Sequence, residues 1–390
     1  MSILFLLKSF EIGGLEVVTS VLANKFVAEG HDVTLWAFYK GKTSLEERLD
    51  KRVNLVYGHG FHSGKANVAS LRKVIIEKNI QIAINQWGLP YIPAKTLRRA
   101  IRELNVKTIA VYHNDPSTNG RLKEVEISIE HCDNLIKLPL LKFKLWTYRK
   151  ITSASMRYIY RNSDRFMVLS QSFISHFENF TGIRNAQKLI VQTNPVTIKQ
   201  PSETLDLNDK QKEVTYVGRL DYNQKRTYRI IETWALLEDR IPDWRLTIVG
   251  DGPERENLER FARDLNLQHV RFEGFQRPEP YYKRASILIL TSEYEGFPLV
   301  LAECMSFGVV PVVYGSYSAV YDIIKDGENG LIVKPQNGEF KTEAMAKALE
   351  QAMTDEDKRH DMAEKAIATS QNYSLDVIYK QWEGLFNDLR

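Results

Sequence analysis

Short apolar runs alternate with longer segments of helical spacing along almost the whole chain of 390 residues. The apolar runs have the length of buried strands, and the segments between them repeat their apolar residues every three to four positions. Strands separated by helices predict parallel sheets that helices cover on both faces, so the expected fold class is α/β. Because the scheme occurs once in each half, we expect two doubly wound, Rossmann-like domains. The predicted strands are Ile3–Leu7, Val33–Phe38, Ile82–Asn85, Thr108–Tyr112 and Arg165–Leu169, then Val214–Gly218, Arg245–Val249, Val270–Glu273, Ile287–Leu290, Val309–Val313 and Gly330–Val333.

The boundary between the two halves is predicted near Pro195, where a polar stretch without periodicity begins and continues to Lys212. This places a first domain over residues 1–195 and a second over residues 196–372. Residues 373–390 have apolar side chains at helical spacing and predict a terminal helix that packs across both domains. Charge also divides the chain, because residues 1–195 hold 28 Lys and Arg against 16 Asp and Glu, whereas residues 196–390 hold 25 against 33. The opposite signs predict different partners, with an anionic one for the first domain.

Three features of the sequence favour a cytoplasmic protein. The two cysteines, Cys132 and Cys304, are too few for a disulfide framework and fit a reducing compartment. The first eight residues have too short an apolar core for a secretory signal, and their charge follows that core instead of preceding it. No stretch approaches the roughly 18 apolar residues of a spanning helix, so any membrane contact is expected to be peripheral.

Residues Lys137–Arg161 carry seven Lys and Arg and no Asp or Glu, interleaved with leucine and aromatic residues. This composition suits a helix that lies on an anionic lipid surface. The alternative is an ordinary amphipathic helix whose apolar residues face the domain core. The positive charge of the first half favours the membrane interpretation. Nucleic acid is not an expected partner, because no recognition motif of interleaved aromatic and basic residues occurs.

The strongest motif is a pair of glutamates around a strand-to-helix turn in the second half. Glu295 begins the turn Glu295-Gly296-Phe297-Pro298-Leu299, and Glu303 follows eight residues later in a predicted helix. Pro298 suits the first helical position, and the free N–H groups around it favour an anion. The two carboxylates would then accept hydrogen bonds from sugar hydroxyls on either side of a phosphate. The alternative is a loop glutamate and a solvated helix glutamate, but Glu303 has apolar neighbours that make an unpaired carboxylate costly.

A second motif places two cations after a predicted strand. Gly218 ends the strand and permits a tight turn, Arg219 follows it, and Lys225 comes six residues later, just before a predicted helix. Two cations beside a helix N-terminus favour a diphosphate. Two such residues at the end of a strand are more often simply solvated. The presence of the glutamate motif in the same half of the chain favours the diphosphate interpretation.

Other strand-to-helix loops are weaker signals on their own. Gly250-Asp251 and Gly274-Phe275-Gln276 each follow a predicted strand and permit close approach of the backbone to a nucleotide. In the first half, Gly13-Gly14 lies between the first strand and the first helix, where backbone N–H groups can face a diphosphate. His113 ends another strand at the same edge of its sheet. A lone histidine is more often structural, but this position favours a functional role.

No group of residues has the spacing of a metal site. Asp355-Glu356-Asp357 is better interpreted as an acidic helix start, and no Cys/His set has zinc spacing. We therefore expect a metal-independent site and no cofactor.

Together these motifs resemble the retaining glycosyltransferases of family 4, and the resemblance covers nearly the whole chain. It implies the GT-B fold, in which two Rossmann-like domains face each other across a cleft. The segments that carry it are Glu295 with Glu303, Gly218-Arg219-Leu220 with Lys225, Ile248-Val249-Gly250-Asp251-Gly252-Pro253, Asp326-Gly327-Glu328-Asn329-Gly330-Leu331, and the glycine loop Gly13-Gly14-Leu15-Glu16.

The resemblance implies that the second domain binds a nucleotide-diphosphate sugar, more often UDP than GDP, and that the first domain binds the acceptor. Arg219 and Lys225 would hold the diphosphate, and Glu303 would accept hydrogen bonds from the ribose. Glu295 and the backbone of Gly296–Leu299 would surround the transferred sugar and phosphates. Gly274–Gln276 would frame the base, His113 would lie beside the donor sugar, and the terminal helix would cross back to the first domain.

The resemblance also implies a front-face reaction, in which the leaving phosphate oxygen takes the acceptor proton and cations replace a metal. The expected acceptor is a glycan or a lipid-linked precursor of the cell envelope. Two alternatives stay open, a non-hydrolysing sugar-nucleotide epimerase and a non-catalytic subunit that binds sugar nucleotides. The first would form an epimer from the nucleotide sugar alone, whereas the second would keep its cellular role after Glu295→Gln.

Overall fold

Contacts between residues divide the chain into two compact units. The computed structural model describes residues 1–41, 45–89, 91–130, 132–134, 136–201 and 205–390. The first unit comprises Met1–Thr197 together with Leu375–Arg390, and the second comprises Ile198–Ser374. The boundaries differ by two residues from those expected at 195/196 and 372/373. Tyr373 stays with the second unit because its ring packs on that of Phe297, with centroids 5.3 Å apart.

The strands and helices alternate along the chain. The strands are β1 (Ser2–Phe10), β2 (Asp32–Lys40), β3 (Asn54–Tyr57), β4 (Ile82–Asn85), β5 (Lys107–Tyr112), β6 (Arg165–Val168), β7 (Leu189–Val191), β8 (Gln211–Val217), β9 (Arg245–Val249), β10 (Val270–Gly274), β11 (Ala285–Leu290), β12 (Val310–Tyr314) and β13 (Leu331–Val333). The helices are α1 (Gly14–Ala28), α2 (Lys65–Glu77), α3 (Tyr91–Ala100), α4 (Gly120–Glu130), α5 (Lys137–Arg161), α6 (Phe173–Thr181), α7 (Tyr228–Ala235), α8 (Arg255–Asp264), α9 (Glu279–Arg284), α10 (Leu299–Met305), α11 (Ala319–Ile323), α12 (Thr342–Thr354), α13 (Glu356–Ser370) and α14 (Leu375–Leu389).

Each unit is built on one parallel sheet. In the described part of the chain, the strand orders are β3-β2-β1-β4-β5-β6-β7 in the first unit and β10-β9-β8-β11-β12-β13 in the second. In both sheets the order reverses beside the first strand, which is the doubly wound arrangement. The predicted α/β fold class is confirmed. Ligands of such sheets bind beyond the carboxyl ends of the strands at the point of reversal, which here lies between β1 and β4 and between β8 and β11.

The central strands are buried on both faces, as helices on both sides of a parallel sheet require. Ile3–Leu7 of β1 and nearly all of β11 have no exposed surface. The edge strands β3 and β7 are short, with four and three residues, and are only half-buried.

The C-terminal helix α14 belongs to the first unit and packs on α1. The ring of Phe26 meets those of Trp382 and Phe386 edge to face, with centroids 6.0 and 5.4 Å apart. Lys25 pairs with Asp376 at 2.6 Å. The end of the chain thereby completes an aromatic core that begins in the first helix.

Candidate functional site

Three glycines lie side by side at the carboxyl edge of the second sheet. The N–H of Gly218 donates to the carbonyl of Val249 at 3.0 Å, and the N–H of Gly250 donates to the carbonyl of Gly274 at 2.7 Å. Gly250 has a φ of 142°, and a Cβ atom there would collide with the carbonyl oxygen of Gly218. The structure therefore brings together the three loops that were predicted separately, and leaves a surface of bare backbone beside β8.

Lys225 and Glu295 form an ion pair at this edge. The ammonium of Lys225 lies 2.5 Å from Oε1 of Glu295, and both side chains are largely buried. Gln224 links the same two loops, because its carbonyl accepts from the N–H of Glu293 at 2.7 Å and its side-chain amide donates to the carbonyl of Tyr294 at 3.3 Å. The loops after the neighbouring strands β8 and β11 are thus joined by a charge pair and by backbone contacts.

Glu303 lies in the fifth position of α10 and is only 6% exposed. Burial raises the pKa of the Tyr282 hydroxyl well above the usual range for tyrosine, and the charge of Glu303 adds to this effect. Pro298 is the N-cap residue of this helix and not its first helical residue, as its extended backbone shows. Proline has no N–H to donate, and the N–H of Leu301 already donates to the carbonyl of Pro298 at 2.9 Å.

The remaining residues predicted for the donor surround this centre with different exposure. Arg219 extends into solvent, where its guanidinium lies 3.0 Å from Oδ2 of Asp221. Asp251 accepts from the N–H of Gly252 at 2.7 Å. Phe275 is 62% exposed, and Gln276 beside it is exposed as well. Gly296, Phe297 and Pro298 are buried, whereas Leu299 is half-buried.

In the first unit, the glycine loop and its glutamate lie at the carboxyl end of β1. Gly13 is the N-cap of α1, and Gly14 is its first residue. Glu16 is buried in the first turn with its carboxylate folded toward Gly13. Burial raises the pKa of Glu16 to about 7, and the nearby charge of Glu11 adds to the effect, while Lys8 opposes it.

His113 lies beyond the carboxyl end of β5 and is held by a side chain from the neighbouring strand. Its Nε2 is 2.7 Å from Oε1 of Gln86, which follows β4. Burial lowers the pKa of His113 to about 4, so the ring is neutral at neutral pH. With Nε2 donating to the glutamine oxygen, Nδ1 is left as the acceptor.

Sequence reasoning gave no role in the donor site to Gln86, Gln224 or Tyr317, although the structure places Gln86 against His113 and Gln224 against Glu295. Gln86 directly follows a predicted strand, so its position at the carboxyl edge was a usable signal. Gln224 precedes Lys225 and carried no motif of its own. Tyr317 follows β12 and gave no signal, because its relation to Glu295 depends on the packing of two loops.

The first half of α5 is exposed, and its second half is packed against the first unit. Leu140 and Phe143 are 67% and 66% exposed, and the ring of Trp146 stacks on that of Phe143 with centroids 5.8 Å apart. Met156 and Ile159 are fully buried. The second half of α5 therefore packs as an ordinary amphipathic helix does, whereas the first half leaves apolar side chains exposed.

Two further features of the described residues concern metal sites and membrane spans. No group of three or more histidine, cysteine, aspartate or glutamate side chains there is arranged to hold a metal ion. Among the same residues, no helix combines the length and apolar character needed to cross a bilayer.

Two units, each built on one doubly wound parallel sheet, make up the fold of the GT-B glycosyltransferases. The family model described as Glycosyl transferases group 1 matches residues 198–369, and the one described as Glycosyltransferase Family 4 matches residues 12–200. The chain belongs to this family of glycosyltransferases.

Known relatives extend over the full chain. A protein of Campylobacter jejuni named as a GalNAc-alpha-(1->4)-GalNAc-alpha-(1->3)-diNAcBac-PP-undecaprenol alpha-1,4-N-acetyl-D-galactosaminyltransferase is 24% identical over 100% of this chain and 99% of its own. An uncharacterized glycosyltransferase of Haemophilus influenzae is 24% identical over 98% of both chains. The crystal structure of HepE from Anabaena in complex with UDP superposes with a TM-score of 0.75 over 100% of both chains, at 20% identity.

Proposed function

We propose that this protein is a retaining, metal-independent glycosyltransferase that moves a sugar from a nucleotide-diphosphate sugar to a glycan or lipid-linked acceptor of the cell envelope. The second unit binds the donor, and UDP is favoured over GDP. The first unit binds the acceptor. UDP in the structurally similar HepE and the undecaprenol-linked substrate in the name of the Campylobacter relative support these assignments.

One observation carries the proposal, namely the polar centre where the loops after β8 and β11 meet. A lysine, a buried glutamate and bare glycine backbone adjoin there, with Arg219 at the exposed side. Breaking the anomeric C–O bond sends its electron pair to the diphosphate and leaves positive charge on the sugar. The two cations and the free N–H groups beside α10 stabilise the negative charge that develops on the leaving group.

In the front-face reaction, the acceptor oxygen attacks the anomeric carbon from the side that the diphosphate leaves. The new C–O bond forms as the old one breaks, and the phosphate oxygen takes the proton of the acceptor hydroxyl. The configuration at the anomeric carbon is retained. Cations of the chain neutralise the diphosphate in this scheme, so no divalent ion is required.

The exposed half of α5 supports peripheral contact with an anionic membrane at the cytoplasmic face. Basic residues flank the apolar side chains there, and the segment contains no acidic residue. Apolar side chains at the lipid boundary and lysines near anionic headgroups each favour binding. Such contact would bring the enzyme to a lipid-linked acceptor.

A panel of nucleotide sugars tests the proposal by thermal shift. We expect UDP-sugars to raise the unfolding midpoint more than GDP-sugars, and Lys225→Ala to abolish the rise. Conversion of a bound nucleotide sugar to its epimer without an acceptor would instead identify the epimerase. Binding without turnover on any membrane or glycan acceptor would identify the non-catalytic subunit.

A further inference from the structure

Tyr317 is a buried tyrosine in a loop that is hydrogen-bonded to the segment before Glu295. It lies between β12 and α11, is 5% exposed, and its hydroxyl has no partner among the residues that the structure describes. An unpartnered buried hydroxyl costs stability, so its retention calls for an explanation.

The loop that contains Tyr317 is hydrogen-bonded to the segment that precedes Glu295. The hydroxyl of Ser316 donates to the carbonyl of Ser292 at 2.7 Å, which joins the ends of the neighbouring strands β11 and β12. Burial, and to a smaller extent the charge of Glu295, raise the pKa of Tyr317 well above its usual range. The hydroxyl therefore keeps its proton, and it is a hydrogen-bond donor on the loop that Ser316 joins to the segment before Glu295.

Glu295 depends on Lys225 for its charge balance. The carboxylate is 7% exposed and pairs with Lys225, while the amide of Gln224 lies 3.5 Å from its other oxygen. A diphosphate that draws Lys225 away leaves the carboxylate buried without its cation, which is strongly unfavourable.

We propose that Tyr317 is a positioning residue that donates its hydroxyl to Glu295 when Lys225 turns to the diphosphate of the donor. This inference rests on the proposed function, because it needs the diphosphate that competes for Lys225. The exchange gives the Tyr317 hydroxyl a partner and replaces Lys225 at Glu295, whose remaining partner is the amide of Gln224. It keeps Glu295 in place for the transferred sugar.

Removing the hydroxyl therefore has opposite effects on the free and the bound protein. In the free protein, Tyr317→Phe deletes an unpartnered group, so the unfolding midpoint stays the same or rises. In the bound protein, Glu295 loses its replacement donor, so the affinity for UDP falls about tenfold. A tyrosine with a purely structural role would lose stability and leave the affinity unchanged.

Isothermal titration with UDP and thermal unfolding without ligand measure both effects. Tyr321→Phe is the matched control, because its hydroxyl donates to the carbonyl of Gly315 at 3.0 Å beside the same loop. We expect this control to bind UDP like the wild type. Equal affinity of Tyr317→Phe and the wild type for UDP would overturn the inference.

A second pair of variants separates action through Glu295 from direct contact with the ligand. In a Glu295→Gln background there is no buried charge to compensate, so adding Tyr317→Phe should change the UDP affinity less than twofold. A full tenfold loss in that background would assign the hydroxyl to the ligand and contradict the inference. If the wild type binds neither UDP nor GDP, the proposed function fails first and the inference falls with it.

Discussion

Arg219 and Lys225 carry the same charge but have different surroundings. Lys225 is largely buried and pairs with Glu295, whereas the guanidinium of Arg219 is exposed beside Asp221. Surface pairs of this kind contribute little to stability, so Arg219 is free to act on a ligand without cost to the fold. Lys225 therefore has to leave Glu295 before it can reach the leaving group, whereas Arg219 is already exposed to it.

Arg219→Ala tests the role of the exposed cation. We expect turnover with the preferred UDP-sugar to fall by about 10²–10³, as for loss of one preorganised donor to a developing charge, with an unchanged unfolding midpoint. Arg240→Ala is the control, because Arg240 is an exposed arginine of the same unit that pairs with Glu350. Near-normal turnover by Arg219→Ala would contradict the assignment.

Glu16 makes the stability of the first unit depend on pH. Its pKa is about 7 in the folded chain and near 4.5 in the unfolded chain, so between these values only the folded state holds the proton. The free energy of unfolding therefore decreases as pH rises from 4.5 to 7. Glu16→Gln cannot lose a proton, and we expect it to be about 1–3 kcal/mol more stable than the wild type at pH 8.

Denaturant unfolding at pH 5 and pH 8 measures the effect of Glu16. The control is Glu77→Gln, which alters an exposed carboxylate on α2 of the same unit. An equal change of stability between the two pH values in wild type and Glu16→Gln would show that another group is responsible.

At the scale of single residues, sequence reasoning placed Lys225 and Glu295 in one region but gave them separate ligand groups. Their ion pair depends on how two loops pack, which residue spacing does not specify. The same holds for Gln86 and His113, whose contact joins the ends of β4 and β5. The position of these residues after strands was predictable, and their mutual contacts were not.

Among the elements, α5 combines two surfaces in one helix. Its second half contributes buried residues to the first unit, while the first half carries exposed leucine and aromatic side chains among lysines. The sequence identified this segment by composition, since a run of basic and apolar residues without acids is unusual. The strands β3 and β7 were not predicted. β3 begins with a polar asparagine, whereas β7 has the same Leu-Ile-Val run as the predicted β13, so its pattern was available in the sequence.

Phe143→Glu tests whether the exposed half of α5 contacts lipid. We expect binding to vesicles that contain phosphatidylglycerol to fall at least tenfold, because the change removes an apolar side chain and introduces a charge that the headgroups repel. Ile76→Glu is the matched control, since Ile76 is a similarly exposed apolar residue on α2. Sedimentation with anionic and with neutral vesicles measures the binding, and equal binding by Phe143→Glu and the wild type would refute the membrane contact.

For the whole molecule, alternating strands and helices were enough to predict two parallel α/β sheets, because buried strands separated by helices pack as parallel sheets that helices cover. The strand order could not be predicted from this pattern, since it depends on which runs become neighbours. The end of the chain shows the same limit. The apolar spacing of α14 predicts a helix, but its position against α1 follows from the fit of Trp382 and Phe386 around Phe26.

The central claim is that the chain's own cations support transfer with retention at the anomeric carbon. Proton NMR in the presence of EDTA measures this directly, by following sugar release from the UDP-sugar that gives the largest thermal shift. The account predicts that an α-linked donor yields the α-anomer first and that EDTA leaves the rate unchanged. Initial formation of the β-anomer, or a reaction that EDTA stops and a divalent ion restores, would contradict it.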